Sequence, residues 1–328
     1  MLVFDSPHAF LSFGSERIGL DAKAETTFIS HAHLDHYVSA LKSKTVLSSQ
    51  ATLDLLKARK KKVPDNPLES HQNGVKLTLH NAGHVLGSRM LHAQGDQSVV
   101  YTGDFLSEDS ITQKAAKPIS CDMLIVECTY GLPQYRFPSR WGVYEQIGTW
   151  AKKVQDSGQN AVIGAYSVGK AQEVTKALNH SGVVPAVSAN IAQIHSVYEK
   201  HDIALDYVNA DTPEGQEVLS KPFVAVAPMH QVNECFKENL KTGYGRKVRT
   251  AVATGWAQDL RGSTDQAFCL SDHNDFPALV SFIQNCNPKK VYTTHGPAEV
   301  FAAHLCREGL DAQPLEALGE KQKTLEAF

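Results

Sequence analysis

Four side chains that commonly bind metal ions occur within six residues near the start of the chain. The run from His31 to His36 has histidines at positions 31, 33 and 36 and an aspartate at position 35. In an extended segment alternate residues point to the same side, so His31 and His33 can share one ion. Asp35 and His36 follow a predicted turn and can face a second ion. Imidazole and carboxylate ligands without thiolate favour Zn²⁺ and also suit Mn²⁺, so the run predicts a divalent metal site.

Four ligands in one loop cannot complete two metal sites, so further ligands must come from other segments. His84 lies between glycines after a predicted strand, and Asp104 ends another predicted strand with a carboxylate that could bridge two ions. His295 also follows a predicted strand, near the C-terminus. The candidate metal ligands are His31, His33, Asp35, His36, His84, Asp104 and His295.

Two further residues are candidates for proton transfer. Glu127 ends an apolar predicted strand, where a buried acid is costly unless it is paired, and a histidine would be a suitable partner. His273 follows Ser271 and Asp272 and precedes a predicted helix. From the residues alone, His273 could be a metal ligand, a general acid or a residue at the start of that helix.

Three residues are candidates for substrate binding. Lys170 stands at a predicted helix N-terminus, where backbone N–H groups favour phosphate. A solvated lysine is an equally good interpretation of that position. Arg136 and Ser271 are the other two candidates.

The overall charge does not indicate a nucleic-acid ligand. The net charge of the 328 residues is −3, so a polyanion would need a local basic patch. Two basic stretches exist, one from Arg59 to Lys62 and one from Lys237 to Arg249. We interpret the first as solvated surface charge, and for the second both interpretations remain open. The six cysteines form no C-x-x-C pair, which argues against a zinc–thiolate site.

Predicted strands and helices place the candidate residues at the ends of elements. The N-terminal third predicts strands at 26–30, 75–79, 98–101 and 123–126 and a helix at 51–61. The middle predicts helices at 143–154, 171–178 and 191–200 and strands at 161–166, 223–227 and 248–253. This alternation is typical of a parallel α/β unit. The C-terminal part predicts a helix at 276–283, a strand at 290–294 and a helix at 298–306.

The sequence also predicts where the protein works. No apolar run approaches the roughly 20 residues that a membrane span needs. The N-terminus has no basic segment followed by an apolar one, so we expect no signal peptide. We therefore expect a cytoplasmic protein without a membrane partner.

The order and spacing of these motifs resemble those of the metallo-β-lactamase/β-CASP nucleases. That group includes Artemis-type DNA nucleases and the pre-mRNA cleavage endonuclease. The resemblance is carried by His31-x-His33-x-Asp35-His36, Ala82-Gly83-His84-Val85-Leu86-Gly87, Tyr101-Thr102-Gly103-Asp104 and Glu127-Cys128-Thr129-Tyr130-Gly131. Ser271-Asp272-His273 and Thr294-His295-Gly296 look like later histidine motifs of the group. Segments 131–138, 165–172 and 255–276 look like the ligase-associated DNA exonuclease branch, and the resemblance covers nearly the full length.

The resemblance implies an α/β fold, namely an αββα metallo-β-lactamase sandwich with an inserted α/β β-CASP cap. The implied bounds are 1–131 and 268–328 for the sandwich and 132–267 for the cap. It implies that one ion is held by His31, His33 and His84, that the other is held by Asp35, His36 and His295, and that Asp104 bridges them. It further implies that Glu127 supports His273 as proton donor, and Asp35 is the third catalytic candidate.

The implied activity is that of a metal-dependent DNA exonuclease. It would hydrolyse phosphodiester bonds through a hydroxide shared by two divalent ions, in DNA repair beside an ATP-dependent DNA ligase and a helicase. His295 is a departure, since DNA-acting members often have valine there and RNA-acting members histidine. An RNA-processing endo- or exoribonuclease is therefore one alternative, and a non-catalytic nucleic-acid-binding scaffold is another. A small-molecule hydrolase of this fold would lack the long insertion.

Overall fold

The structure is a computed structural model that describes residues 2–5, 9–13, 16–63, 74–260 and 264–315. Its strands are β1 (Leu2–Asp5), β2 (Phe10–Phe13), β3 (Glu16–Leu20), β4 (Thr26–Phe28), β5 (Thr45–Leu47), β6 (Lys76–Asn81), β7 (Arg89–Gln94), β8 (Ser98–Tyr101), β9 (Met123–Glu127), β10 (Asn160–Ala165), β11 (Ala186–Val187), β12 (Val208–Asn209), β13 (Val224–Pro228), β14 (Val248–Thr254), β15 (Gln266–Cys269), β16 (Lys290–Thr294) and β17 (Ala312–Pro314). Its α-helices are α1 (Leu34–Tyr37), α2 (Gln50–Ala58), α3 (Arg140–Asp156), α4 (Lys170–His180), α5 (Ala189–Lys200), α6 (Pro213–Leu219), α7 (Glu234–Tyr244), α8 (Phe276–Cys286) and α9 (Ala298–Arg307).

The chain divides into two compact units. Unit 1 comprises Met1–Asp109, Gln113–Arg136 and His273–Phe328, and unit 2 comprises Ser110–Thr112 and Phe137–Asp272. Unit 2 is therefore inserted into the sequence of unit 1.

Unit 1 contains two sheets that share an apolar layer. One sheet has the strand order β1-β2-β3-β4-β5, and the other has the order β17-β16-β9-β8-β7-β6. Period-two alternation explains how β8 serves two layers: Val99 and Tyr101 pack with the first sheet, whereas Val100 packs on the opposite side with α8 and α9. The rings of Phe28 and Tyr101 join the two sheets edge to face at 6.2 Å. Asp104, Glu127 and His295 lie at or just after the ends of β8, β9 and β16.

Unit 2 is built on one sheet in which every strand pair is parallel. The strand order is β12-β11-β13-β10-β14-β15. All six residues of β10 are buried, as expected for a central strand of a parallel sheet that is covered on both faces. Helices α3, α4 and α5 contribute to the apolar core around β10.

The predicted α/β fold, with a two-sheet sandwich and an inserted α/β unit, is confirmed. The predicted helices and strands are also present, with ends that differ by up to three residues. Differences of three residues occur at three ends: the first predicted helix ends at Ala58 rather than at residue 61, the helix predicted from residue 143 begins at Arg140, and the helix predicted to end at residue 283 ends at Cys286. Among the described residues, no helix combines the length and the apolarity that crossing a membrane would require.

Candidate metal centre

The histidine run connects β4 to α1. His31 is completely buried, and His33 has an extended backbone and forms the N-cap of α1. Asp35 and His36 belong to that helix, which is a single turn long. Although the backbone changes from extended to helical within this short segment, the rings of His31 and His36 remain only 4.1 Å apart.

The structure brings the candidate ligands together in two groups. Within each group the potential ligand atoms lie within 4.8 Å of one another. The first group is His31, His33, His84 and Asp104, and the second is Asp35, His36 and His295. These residues come from four separate segments of unit 1.

Asp104 lies between the two groups. Its Oδ2 is 3.5 Å from His31 Nε2 and 3.7 Å from His84 Nε2, both in the first group. The same oxygen is 3.3 Å from His36 Nε2 in the second group. One carboxylate oxygen thus faces donors of both groups, as a bridging ligand would.

Two nitrogens of the site have the environment of metal-binding atoms. The Nε2 atoms of His31 and His36 are buried and have no hydrogen-bond partner among the described residues. Buried polar atoms are normally satisfied, so an unsatisfied pair that faces one carboxylate suits a bound cation. Imidazole and carboxylate ligands bind Zn²⁺ and Mn²⁺, and the residues of the site therefore fit divalent ions.

Burial and neighbouring charges set the protonation of the site. Burial, assisted by nearby His36, holds the pKa of His31 well below its usual value, which favours the neutral imidazole that binds metal. Burial disfavours the charged form of Asp104, but His36, His273 and His31 together outweigh burial and hold the pKa of this carboxyl well below its usual value. Burial also opposes the imidazolium of His36, yet Asp104, Asp35 and Asp21 outweigh it and raise the pKa. A cation that binds His36 therefore displaces a proton.

Asp21, which no motif in the sequence marks, is a central partner of the ligands. Its Oδ2 is 2.7 Å from His36 Nδ1 and accepts hydrogen bonds from Tyr101 Oη at 2.9 Å and Ser30 Oγ at 2.6 Å. Ser30 Oγ also lies 3.0 Å from His31 Nδ1. A carboxylate on the remote ring nitrogen fixes the orientation of a metal-binding imidazole. The available signal in the sequence was weak: an acid directly after the short run Ile18-Gly19-Leu20.

Glu127 and His273 form the second predicted pair. His273 Nδ1 is 2.8 Å from Glu127 Oε1, and the Glu127 side chain is 1% exposed. Burial opposes ionisation of Glu127, but His273 and the N–H of Thr129 together outweigh burial and lower the pKa, so the carboxylate is charged at neutral pH. The ligand-type atoms of Asp104, Glu127 and His273 lie within 4.8 Å of one another, and the rings of His84 and His273 are 4.6 Å apart. The pair therefore borders the first ligand group.

Tight backbone packing holds the C-terminal ligand in place. His295 has a φ of 56°, a left-handed conformation that is uncommon for residues other than glycine. Gly296 follows with a φ of 58°, and a Cβ there would lie 2.3 Å from the carbonyl oxygen of Cys128. Strained backbone of this kind often occurs at functional sites.

The three substrate-binding candidates have different environments. Lys170 is buried in unit 2, with its Nζ 3.3 Å from Glu173 and 3.5 Å from Asp272. Ser271 is also buried, and its carbonyl oxygen accepts a hydrogen bond from Arg140. Arg136 belongs to unit 1 and is exposed. A contact between Lys170 and substrate phosphate stays a prediction, and it would compete with two carboxylates of the protein.

Comparison with known proteins identifies relatives that match most of this chain. A protein of Opitutus terrae named Probable DNA ligase is 33% identical over 314 residues, which are 90% of this chain and 29% of that protein. The human DNA cross-link repair 1A protein is 25% identical over 299 residues, which are 81% of this chain and 28% of that protein. This chain belongs to the metallo-β-lactamase/β-CASP family. It spans less than a third of the length of these two relatives.

A solved structure shares the fold of this metallo-β-lactamase/β-CASP chain. A protein of unknown function from Enterococcus faecalis V583 superposes with a TM-score of 0.57 at 16% identity, covering 83% of this chain and 75% of that one. At this identity the likeness concerns the fold alone. No family model matches the chain.

Proposed function

We propose that this metallo-β-lactamase/β-CASP chain is a metal-dependent DNA exonuclease that hydrolyses phosphodiester bonds in DNA repair. The observation that carries the proposal is the position of Asp104 Oδ2, 3.5 Å from His31 Nε2 and 3.3 Å from His36 Nε2. A buried carboxylate between two imidazole groups supports a pair of divalent ions. Zn²⁺ is the first choice for these ligands and Mn²⁺ the second.

In this proposal each ligand group holds one ion. When bound, divalent ions would supply a hydroxide nucleophile at neutral pH. His31, His33 and His84 would hold one ion, Asp35, His36 and His295 would hold the other, and Asp104 would serve as a ligand of the pair. Asp21 keeps the His36 ring oriented through Nδ1.

His273 acts as the proton donor. The sugar oxygen that leaves phosphorus needs a proton, and a positioned histidine can give it. Because Glu127 holds the ring through Nδ1, the proton given to the leaving oxygen comes from Nε2. The charged Glu127 carboxylate also stabilises the imidazolium that gives the proton.

The relatives support DNA as substrate and a ligase as partner. Both relatives have names that refer to DNA. The matched segment is 29% of the protein named as a ligase, so a chain of this family occurs there within a longer protein. We propose that this chain works beside an ATP-dependent DNA ligase and a helicase. In this proposal the segment 132–267 is the β-CASP cap. Lys170 and Arg136, within that segment, and Ser271, just after it, are the proposed substrate-binding residues.

One residue favours a second candidate function. By the family resemblance, His295 stands at a position where DNA-acting members often have valine, and it belongs to the second ligand group. An RNA-processing nuclease with the same metal chemistry is therefore the alternative. The two functions differ in the sugar of the preferred substrate.

Digestion of matched single-stranded DNA and RNA tests the proposal. Both oligonucleotides have the same base sequence and an end label, and the protein is supplied with Mn²⁺ or Zn²⁺. We expect stepwise shortening of the DNA from one end, and loss of activity in Asp104→Asn. Faster degradation of RNA would assign the alternative function. Stable binding of both polymers without cleavage, in protein that retains its metals, would contradict an enzymatic role.

A further inference from the structure

The basic segment Arg59 to Lys62 has a fixed position at the end of α2. The N–H of Lys60 donates to the Lys57 carbonyl at 2.8 Å, and the N–H of Lys61 donates to the Leu56 carbonyl at 3.0 Å. Lys60 has a φ of 58°. These are the hydrogen bonds of a Schellman C-cap, which turns the chain sharply at the end of the helix.

This segment lies against the loop that carries the metal ligands. Arg59 Nη1 donates a hydrogen bond of 2.6 Å to the carbonyl oxygen of Ala32, the residue between His31 and His33. The guanidinium of Arg59 is 5.3 Å, and the ammonium of Lys61 5.8 Å, from the centre of the Tyr37 ring. Tyr37 directly follows the ligand His36. The sequence suggested solvated charge, and the three lysines are exposed; the structure adds that Arg59 and Lys61 lie against the loop that carries the candidate ligands.

The charges of the segment are available to a ligand. Lys60, Lys61 and Lys62 are exposed, and within the part of the chain that the structure describes none of them pairs with a carboxylate. The other basic stretch differs in this respect. There Lys237 lies 3.1 Å and Arg249 3.0 Å from Asp265. Among the described residues, ion pairs therefore neutralise much of the second stretch and none of the lysines at positions 60 to 62.

Lys60 occupies a backbone position that usually belongs to glycine. The Schellman C-cap requires this left-handed conformation, and it turns the chain so that Lys61 and Lys62 leave the helix axis. Leu34 and Val38, which flank the candidate ligands Asp35 and His36 in the sequence, are each 48% exposed.

We propose that Lys60, Lys61 and Lys62 bind successive phosphates of a single-stranded nucleic acid that flank the phosphate under attack. Arg59 is a positioning residue, because it fixes the segment to the Ala32 carbonyl. The inference deepens the proposed function, since it assigns the track by which a polyanion reaches the same site. Lysine contacts of this kind read no sequence and depend strongly on salt.

The test compares two triple variants of the full chain. The first is Lys60→Ala, Lys61→Ala and Lys62→Ala. The control is Lys23→Ala, Lys76→Ala and Lys117→Ala, which removes the same charge from exposed lysines elsewhere in unit 1 that have no carboxylate partner among the described residues. The probes are a single-stranded phosphorothioate oligonucleotide for binding, single-stranded DNA for turnover and bis(p-nitrophenyl) phosphate for the metal site.

We expect the first triple variant to reduce the slope of log affinity against log salt by about 2, since each phosphate contact contributes about 0.7 for single strands. Its KM for DNA should rise about tenfold at moderate salt while kcat, and hydrolysis of the small diester, stay unchanged. The control should match the unmodified protein. Equal slopes and equal KM values for the two variants would overturn the inference.

A single substitution separates binding from stability. Lys60→Gly removes one charge and also relieves the left-handed backbone, so we expect the unfolding free energy to stay equal or rise while the salt slope falls by about 0.7. A loss of stability without any change in slope would assign Lys60 a structural role only. If the protein hydrolyses neither DNA nor the small diester, the proposed function fails, whereas the oligonucleotide slopes still test the basic segment.

Discussion

Glu127 Oε1 lies 2.8 Å from His273 Nδ1, although 146 positions separate the two residues in the chain. Glu127 ends β9, and its second oxygen, Oε2, accepts the N–H of Thr129 at 2.8 Å. A buried carboxylate fixed in this way can hold the imidazole in one orientation. The contact favours the interpretation of His273 as a general acid over that of a helix-start residue.

Replacing His273 with alanine should reduce turnover without removing metal. A positioned proton donor contributes roughly 10²- to 10⁴-fold, so kcat should fall in that range while KM changes little. Metal content by plasma mass spectrometry should equal that of the unmodified protein. Loss of an ion from His273→Ala would make His273 a ligand and refute the proposed role.

Glu127→Gln should act through His273. We expect kcat to fall less than in His273→Ala, and we expect the double variant to be no slower than His273→Ala alone, because the two residues act as a unit. Single-turnover rates of the four proteins would measure this. Additive effects would mean that Glu127 supports the site by a separate route.

Replacing Asp21 should weaken metal binding although Asp21 is not proposed as a ligand. Loss of the partner on a ligating histidine typically costs 10- to 100-fold in metal affinity, so Asp21→Asn should show this loss in a chelator competition titration. Asp122→Asn is a matched control, because Asp122 also accepts hydrogen bonds from a serine N–H and hydroxyl, those of Ser98 at 2.8 and 3.0 Å. Equal affinities of the two variants would contradict the orienting role of Asp21.

Gly103 should tolerate no side chain. It has a φ of +52°, and an added Cβ would lie 2.5 Å from the Cβ of Ser30, next to the ligands. We expect Gly103→Ala to lower the unfolding free energy by about 2 to 4 kcal/mol, which combines backbone strain with overpacking. Gly309→Ala is the control, since its φ is +89° but no described atom lies within 4 Å of the added Cβ. Urea denaturation of both variants would measure the difference. Equal losses of unfolding free energy would show that the Ser30 side chain moves to make room for the added Cβ.

Stability in acid should depend on Asp265. Burial raises its pKa, but the N–H of Thr250 and the charges of Arg249 and Lys237 outweigh burial and lower the pKa from 3.8 to about 2. A folded pKa below the unfolded one means that the stabilisation is complete above about pH 4 and is lost as the pH falls from about 4 to about 2. We expect Asp265→Asn to remove about 1 kcal/mol of this pH dependence, a value reduced because water reaches the pair. Urea denaturation at several pH values, with exposed Asp211→Asn as control, would measure it.

Lys170 should matter for stability whatever its role toward substrate. Its removal leaves the buried carboxylates of Glu173 and Asp272 without one of their cationic partners, so Lys170→Met should lower the unfolding free energy by about 3 kcal/mol. The salt slope of oligonucleotide binding would decide the predicted phosphate contact. A slope equal to that of the unmodified protein would exclude it.

Much of the fold followed from local patterns. The alternation in β8 predicts a strand with two faces, and the apolar runs of β9 and β10 predict buried strands, because side-chain direction along a strand depends only on the backbone repeat. Helix ends were less accurate, as in α2, because the Schellman turn at Lys60 depends on a left-handed conformation that lysine rarely adopts.

The sequence by itself determined the types of the donors and which of them are neighbours along the chain. His31, His33, Asp35 and His36 are held close by a few covalent bonds, so their spacing alone predicts a metal-binding loop. Tertiary structure decided which distant residues meet them. Asp21 reaches His36, and Arg59 reaches the Ala32 carbonyl, only because the strands and helices of unit 1 pack as they do. The physical reason is that contacts between distant segments depend on how whole strands and helices pack. That packing cannot be inferred from one residue type or from one spacing along the chain.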